Sequence, residues 1–234
     1  METSAFLEFI RLIVNGDPGK VSRQLHATPE LATMALPVRT KARLTSEPFF
    51  PELRHYMYGG DTAIHMAAAA YSRPIAELLV THGADCRAKN RRGAQPLHYA
   101  SDANRPDPRS QAGMIEYLIL IGADPNVVDK SGVAPLHRAV RTRSIAAVRA
   151  LLDGGAELRQ PNKSGSTPLH LAVQTTGASG SGSNEKRRQQ AAIIKLLLER
   201  GAKPDDKDAQ GTQVDQAASS EWVRILLKGG TAGP

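Results

Sequence analysis

The sequence predicts an all-α solenoid of stacked helix-turn-helix units, and three observations carry that prediction. One six-residue phrase recurs four times, as TAIHMA (62–67), QPLHYA (95–100), APLHRA (134–139) and TPLHLA (167–172). A glycine stands two residues before each phrase (Gly60, Gly93, Gly132, Gly165, and Gly211 before a degenerate fifth copy), and another closes each apolar helix (Gly83, Gly122, Gly155, Gly201, Gly230). The interval from a closing glycine to the next opening one is ten residues every time: 83 to 93, 122 to 132, 155 to 165 and 201 to 211. The complementary interval varies, so every insertion falls between the two helices of a unit. Repetition at a fixed period of this size is the signature of a solenoid.

Each element then follows from local chemistry. Thr167 before Pro168 reads as a helix cap followed by proline at the first helical position, where the missing N–H costs nothing. Leu169, Ala172 and Val173 give that first helix its apolar face, and Ile193, Ile194, Leu196, Leu197 and Leu198 give the second helix its own. Gly201 and its counterparts can take the left-handed conformation that ends a helix. Residues 1–36 read as a divergent N-terminal capping unit, with AFLEFIRLIV as one amphipathic helix and Asp17-Pro18 starting another. Residues 37–59 fit no unit. They hold Phe49, Phe50, Tyr56 and Tyr58, four of the ten aromatic residues, and are expected to pack back on the array.

Residues 60–230 form the array of five units, with insertions at 101–111 and 175–190, and 231–234 are a tail. The first insertion carries two prolines and is expected to be extended. The second is a Gly/Ser stretch leading into a helix start whose Lys186, Arg187 and Arg188 stand where the helix dipole disfavours positive charge, which makes them a candidate anion-binding patch. The last unit places Gln213, Asp215 and Gln216 at positions that are apolar or histidine elsewhere, as suits the polar end of a finite stack.

Taken together, the G-x-T-P-L-H-x-A phrase, the LLxxGAD helix end and a basic period near 33 resemble the ankyrin repeat. The resemblance covers roughly residues 60–230 and implies an ankyrin-repeat solenoid whose turn-rich segments, such as VDKSGV and DKDAQG, form hairpin-like fingers. It implies that His65, His98, His137 and His170 hydrogen-bond the backbone of the neighbouring finger. It also implies a non-catalytic protein–protein interaction module that binds a partner on its concave face. Met66, Tyr99, Arg138, Arg141 and Leu171 are then expected on the first helices of that face, with Arg91, Arg92, Lys130 and Lys163 on the fingers. As a set they favour an acidic partner protein.

The recurring histidines raise a competing reading as metal ligands. Successive units put them about 10 Å apart, whereas a shared metal needs ligands at roughly 2 Å. No metal or other cofactor is therefore expected. GDPGKV (16–21) lacks the spacing of a phosphate loop, and GASGSGS (177–183) follows no strand. Cys86, the single cysteine, reads as a small buried residue in a reducing compartment. The start of the chain does not resemble a secretory signal and no segment is apolar enough to span a membrane, so the expectation is a cytoplasmic protein without a membrane partner. Two polar ends favour a monomer.

Net charge is +7 and the pI near 9.7, which raises binding to nucleic acid or another anionic surface as an alternative. Against it, the Lys+Arg excess is spread thinly along the chain. A third alternative is an enzyme with a site near the 37–59 insertion. No nucleophile–base or paired-carboxylate constellation stands out to support that reading.

Overall fold

The computed structural model describes residues 2–38, 47–175 and 183–230, and it is an all-α stack with one small hairpin laid on it. α1 (Glu2–Val14) and α2 (Pro18–Ala27) come first, followed by a short 3-10 turn (Pro29–Ala32). Asp17 caps α2 by accepting a hydrogen bond from the Lys20 N–H at 2.9 Å, with Pro18 at the first helical position. β1 (Phe49–Phe50) and β2 (His55–Tyr56) form the antiparallel hairpin, Phe49 opposite Tyr56 and Phe50 opposite His55.

Five helix pairs follow. The first helices are α3 (Ala63–Ala69), α5 (Pro96–Ala100), α7 (Pro135–Arg141), α9 (Pro168–Val173) and α11 (Val214–Ala217). The second helices are α4 (Arg73–Thr81), α6 (Pro108–Leu120), α8 (Ile145–Asp153), α10 (Asn184–Glu199) and α12 (Glu221–Leu227). First helices pack on first helices and second on second, while α1 and α2 join the two rows through α3 and α4. One core runs the length of the stack, from Phe6 and Phe9 to Leu226.

One expectation needs correction at the insertions. Only 101–107 lies outside a helix in the first, because Asp107 accepts from the Ser110 N–H at 3.0 Å and Pro108 opens α6, so 108–111 are helical rather than extended. In the second, residues 176–182 lie outside the described residues, and Ser183 caps α10, which already includes Lys186, Arg187 and Arg188. The Lys186 Nζ donates to the Thr142 carbonyl at 3.1 Å, so part of this patch is tied to the neighbouring unit.

The constant ten-residue segment is a finger, and its length is dictated by contact with the next finger. An Asn or Asp three residues before Gly93, Gly132, Gly165 and Gly211 accepts two backbone N–H groups: Asn90 from Arg92 and Ala94, Asp129 from Ser131 and Val133, Asn162 from Ser164 and Ser166, and Asp208 from Gln210 and Thr212. The finger tips then form a ladder of backbone bonds, Arg91 N–H to Gly59, Lys130 to Arg92, Lys163 to Ser131 and Ala209 to Ser164. At Gly132, φ is +72° and an added Cβ would lie 2.7 Å from the Lys163 amide nitrogen, so the ladder itself demands glycine. Gly211 shares the positive φ but meets nothing within 4 Å, because no described finger follows it.

The four histidines join these layers. In each, Nδ1 accepts the N–H of the cap residue (Thr62, Gln95, Ala134 and Thr167) at 3.1–3.2 Å. Nε2 lies 2.9–3.3 Å from a carbonyl of the next finger, at Ala94, Val133, Ser166 and Thr212. Accepting at Nδ1 fixes the proton on Nε2, so the ring is required neutral. Burial accordingly holds the His65 and His137 pKa values below the ordinary value and pushes His98 down to about 3.

Tyr71 and Arg143 end their first helices in the left-handed region, at φ +56° and +61°, where glycine would be the unstrained choice. Both side chains reach the next unit, at the place where its insertion leaves the first helix without a tight turn. The Tyr71 hydroxyl donates to the Asp102 carbonyl and accepts from the Asn104 N–H at 2.9 Å. Arg143 donates to the Ala172 carbonyl at 2.8 Å and also to that of Gln174. From the second helices of the same insertion-bearing units, Gln111 binds the carbonyls of Ala100 and Asp102, and Gln190 those of Ala172 and Gln174. The ends of both first helices therefore remain satisfied despite the insertions.

Candidate functional site

The hairpin lies across the face made by the first helices and fingers of the second and third units. Leu53 and Met57 anchor it in the core, while the Gly60 N–H donates to the Leu36 carbonyl and the Leu36 N–H to the Asp61 carbonyl. His55 stacks on the Tyr99 ring of α5 with centroids 4.5 Å apart and planes inclined by 14°. Beneath it, buried Asp61 accepts from the Tyr99 hydroxyl at 2.7 Å, the Asn90 amide at 2.9 Å and the Tyr58 N–H at 2.6 Å. Burial, reinforced by Asp61, drives the Tyr99 pKa far upward, so this phenol is a structural donor and not an acid.

Between hairpin and array is an open cavity of about 350 Å³. Arg54, His55, Tyr56 and Tyr58 supply the hairpin wall, Arg92 the finger wall, and Arg138 and Arg141 the wall from α7. Arg138 is held between two carboxylates, at 3.0 Å from Asp102 and 3.3 Å from Asp129. Burial works against its charge, but those two carboxylates outweigh it and the pKa is raised. Arg92 sits over the Tyr58 ring at 4.0 Å. Among the described residues no carboxylate lies within 4.0 Å of Arg54, Arg92 or Arg141.

The residues expected to bind a partner divide accordingly. Tyr99, Arg138, Arg141 and Arg92 are brought together around the cavity, whereas Leu171, Lys130 and Lys163 do not line it. Met66 and Tyr99 must be corrected, since neither is exposed. Met66 belongs to the same continuous core as Leu53 and Met57, and Tyr99 is covered by His55. Arg138 is largely buried by its ion pairs, Leu171 is half-buried, and Arg141, Arg91, Arg92, Lys130 and Lys163 are exposed. Arg91 pairs with Glu47. Arg54 and His55 were missed, although the concentration of aromatic residues in 37–59 pointed to their segment.

Catalytic chemistry has little support in this geometry. His55 Nε2 is 3.9 Å from Asp102, beyond a hydrogen bond, and its Nδ1 is engaged with the Tyr56 carbonyl at 2.7 Å. Burial pushes the Cys86 thiol up, away from the thiolate a nucleophile requires. Among the described residues no group of three or more His, Cys, Asp or Glu is arranged to hold a metal ion, and no helix is long and apolar enough to cross a membrane.

Comparison with known proteins agrees with this architecture. Over 187 residues the chain is 29% identical to human Ankyrin repeat and SOCS box protein 6, covering 73% of this chain and 43% of that protein. It is 27% identical over 211 residues to the E3 ubiquitin-protein ligase KEG of Arabidopsis thaliana, covering 73% of this chain and 13% of that one. With zebrafish (Danio rerio) Neurogenic locus notch homolog protein 1 it shares 36% identity over 98 residues, 42% of this chain and 4% of that one. The chain thus spans less than half the length of each of these relatives. The family model described as "Ankyrin repeats (3 copies)" matches residues 38–107 and 109–208, and with the fingers, capping histidines and stacked helix pairs already established, the chain belongs to the ankyrin repeat family.

Proposed function

We propose that this protein recognises an acidic surface on a partner protein through the concave face formed by its first helices and fingers. Ankyrin repeats are generally protein–protein interaction modules and generally non-catalytic, which supports recognition as the role of this chain. The observation that carries the acidic preference is the run of exposed cations along the finger ladder. Arg91, Arg92, Lys130 and Lys163 occupy successive tips, Arg141 at the end of α7 lines the cavity with Arg92, and only Arg91 of these is paired with a carboxylate among the described residues. Solvent-exposed charge of one sign steers an oppositely charged partner and suppresses others.

Capture of binding proteins from a cell extract tests the proposal, using the chain beside a Lys130→Glu, Arg141→Glu, Lys163→Glu variant. All three side chains are exposed, so the variant keeps the fold. A protein retained by the first and lost by the second is the expected result. Equal retention would remove the acidic-surface reading. Recovery of nucleic acid alone, lost steeply between about 50 and 200 mM salt, would assign the basic surplus to phosphate contacts instead.

A further inference from the structure

We infer that the cavity under the 49–56 hairpin is a subsite for a carboxylate-rich peptide segment, and that the Phe49–Tyr56 pair beside it takes an adjacent apolar side chain of the same segment. This rests on the interaction role proposed above and assigns the chemistry of its anchoring point.

The first reason is uncompensated charge. Four arginines line the cavity; Arg138 is paired with both Asp102 and Asp129, and buried Asp61 lies beneath Tyr99, so the positive surplus rests on the exposed Arg54, Arg92 and Arg141, none of which has a carboxylate within 4.0 Å among the described residues. Arg54, Arg92 and Arg141 therefore leave a concentrated positive field in a cleft whose walls screen it less than open water does. Guanidinium groups gathered without a counter-ion match carboxylate oxygens through paired N–H bonds.

Retained strain and preorganisation provide the second reason. Arg54 closes the hairpin at φ +49°, where glycine or asparagine would relieve the backbone, yet it places an exposed arginine on the cavity wall. Across the cavity, Arg92 is held on the Tyr58 ring, so less side-chain freedom is lost when an anion binds.

The third reason is the apolar shelf. Phe49 and Tyr56 are 49% and 46% exposed and pack on each other at 4.8 Å, on the outer side of the hairpin, with Tyr56 also lining the cavity. The two rings are inclined at 47° and occupied with each other, which suits an aliphatic or aromatic side chain better than the continuous stacking a nucleic acid would need. A cavity of about 350 Å³ accommodates two or three side chains, the size of a short peptide anchor.

Fluorescence anisotropy of a fluorescein-labelled EEDFEE peptide, with QQNFQQ as the neutral control and oligouridine as the nucleic-acid competitor, tests the assignment on the full chain. Arg54→Gly relaxes the turn, so it should fold at least as well as the parent, checked by circular dichroism and thermal midpoint. The Arg54→Gly, Arg141→Gln double variant is expected to weaken EEDFEE binding at least about tenfold, given the cost of losing charged hydrogen bonds. As a charge control away from the finger face, Lys195→Glu on α10 with Lys228→Glu after α12, both exposed, should change it by no more than about threefold. Undiminished binding to the double variant, equal affinity for QQNFQQ, or tighter binding of oligouridine at 150 mM salt would each overturn the subsite. Should Lys130→Glu with Lys163→Glu abolish both peptide binding and partner capture while the Arg54→Gly, Arg141→Gln variant binds the peptide undiminished, the subsite is refuted while the wider interaction role stands.

Discussion

Replacing His98 with glutamine should exchange neutral-pH stability for acid resistance, and the structure sets the size of that exchange. His98 holds the Gln95 N–H through Nδ1 and reaches the Val133 carbonyl through Nε2, an arrangement that excludes a second ring proton. Its pKa falls from an unfolded value near 6.5 to about 3, because burial disfavours the charged ring and Arg138 adds to that. Between those limits the unfolded chain binds the extra proton and the native chain does not, so this residue's contribution is complete above pH 6.5 and is lost as pH falls. From pH 7 to 4.5 the loss is about 3 kcal/mol from this one ring, at about 1.4 kcal/mol per pH unit below 6.5. The degenerate last unit supplies the replacement, since the Gln216 side-chain carbonyl accepts the Gln213 N–H there at 3.2 Å. His98→Gln keeps the cap bond, forfeits about 1–2 kcal/mol at pH 7 through the weakened finger contact, and does not titrate. Urea unfolding followed by circular dichroism at pH 7, 5.5 and 4.5 should show the variant less stable at pH 7 and more stable at pH 4.5. Parallel stability curves for the two proteins, or a native-state His98 titrating near 6.5 by NMR, would refute the locked-tautomer argument.

Other outcomes follow from the same contacts. Gly132→Ala should cost more than about 2 kcal/mol, combining positive-φ strain with a clash against the Lys163 backbone, whereas Gly211→Ala should cost only the strain, about 1 kcal/mol. Thermal unfolding compares the two, and Trp222, the single tryptophan, reports the last unit by fluorescence. Tyr71→Phe should lose about 1–2 kcal/mol and raise hydrogen exchange at the Asn104 amide, because the hydroxyl that accepts it is gone. Charge reversal at Lys130, Arg141 and Lys163 should leave the thermal midpoint within a few degrees of the parent while removing partner capture, since exposed charges contribute little to stability.

The regular parts of this molecule were legible because each is encoded within a few residues. A proline behind a cap residue starts α9, a glycine at positive φ ends each finger, and the ten-residue spacing identified the rigid part of the unit before its cause was visible. The cause is the finger-tip ladder, a long-range set of backbone bonds with no local sequence mark except the Asn or Asp three residues ahead of Gly93, Gly132, Gly165 and Gly211. The start of α6 was legible in principle, since Asp107-Pro108 has the same cap chemistry as Asp17-Pro18, yet the two prolines of 101–111 masked it. Tyr71 and Arg143 carry no glycine-like signal, and their conformation makes sense only when the insertion of the next unit is in place beside them.

By itself the sequence determined the repeat, the stacking of helix pairs, the structural role of the histidines and the basic character of the finger face. All of these depend on spacings within one unit or on chemistry repeated in every unit. Only the tertiary structure decided which side chains that face presents. Residues 37–59 have no period, so nothing local announces that their hairpin will cover Tyr99 with His55 and turn a simple helical surface into a cavity. Burial depends on what another segment covers, and that is a property of chain sections tens of residues apart that meet only once the stack has formed.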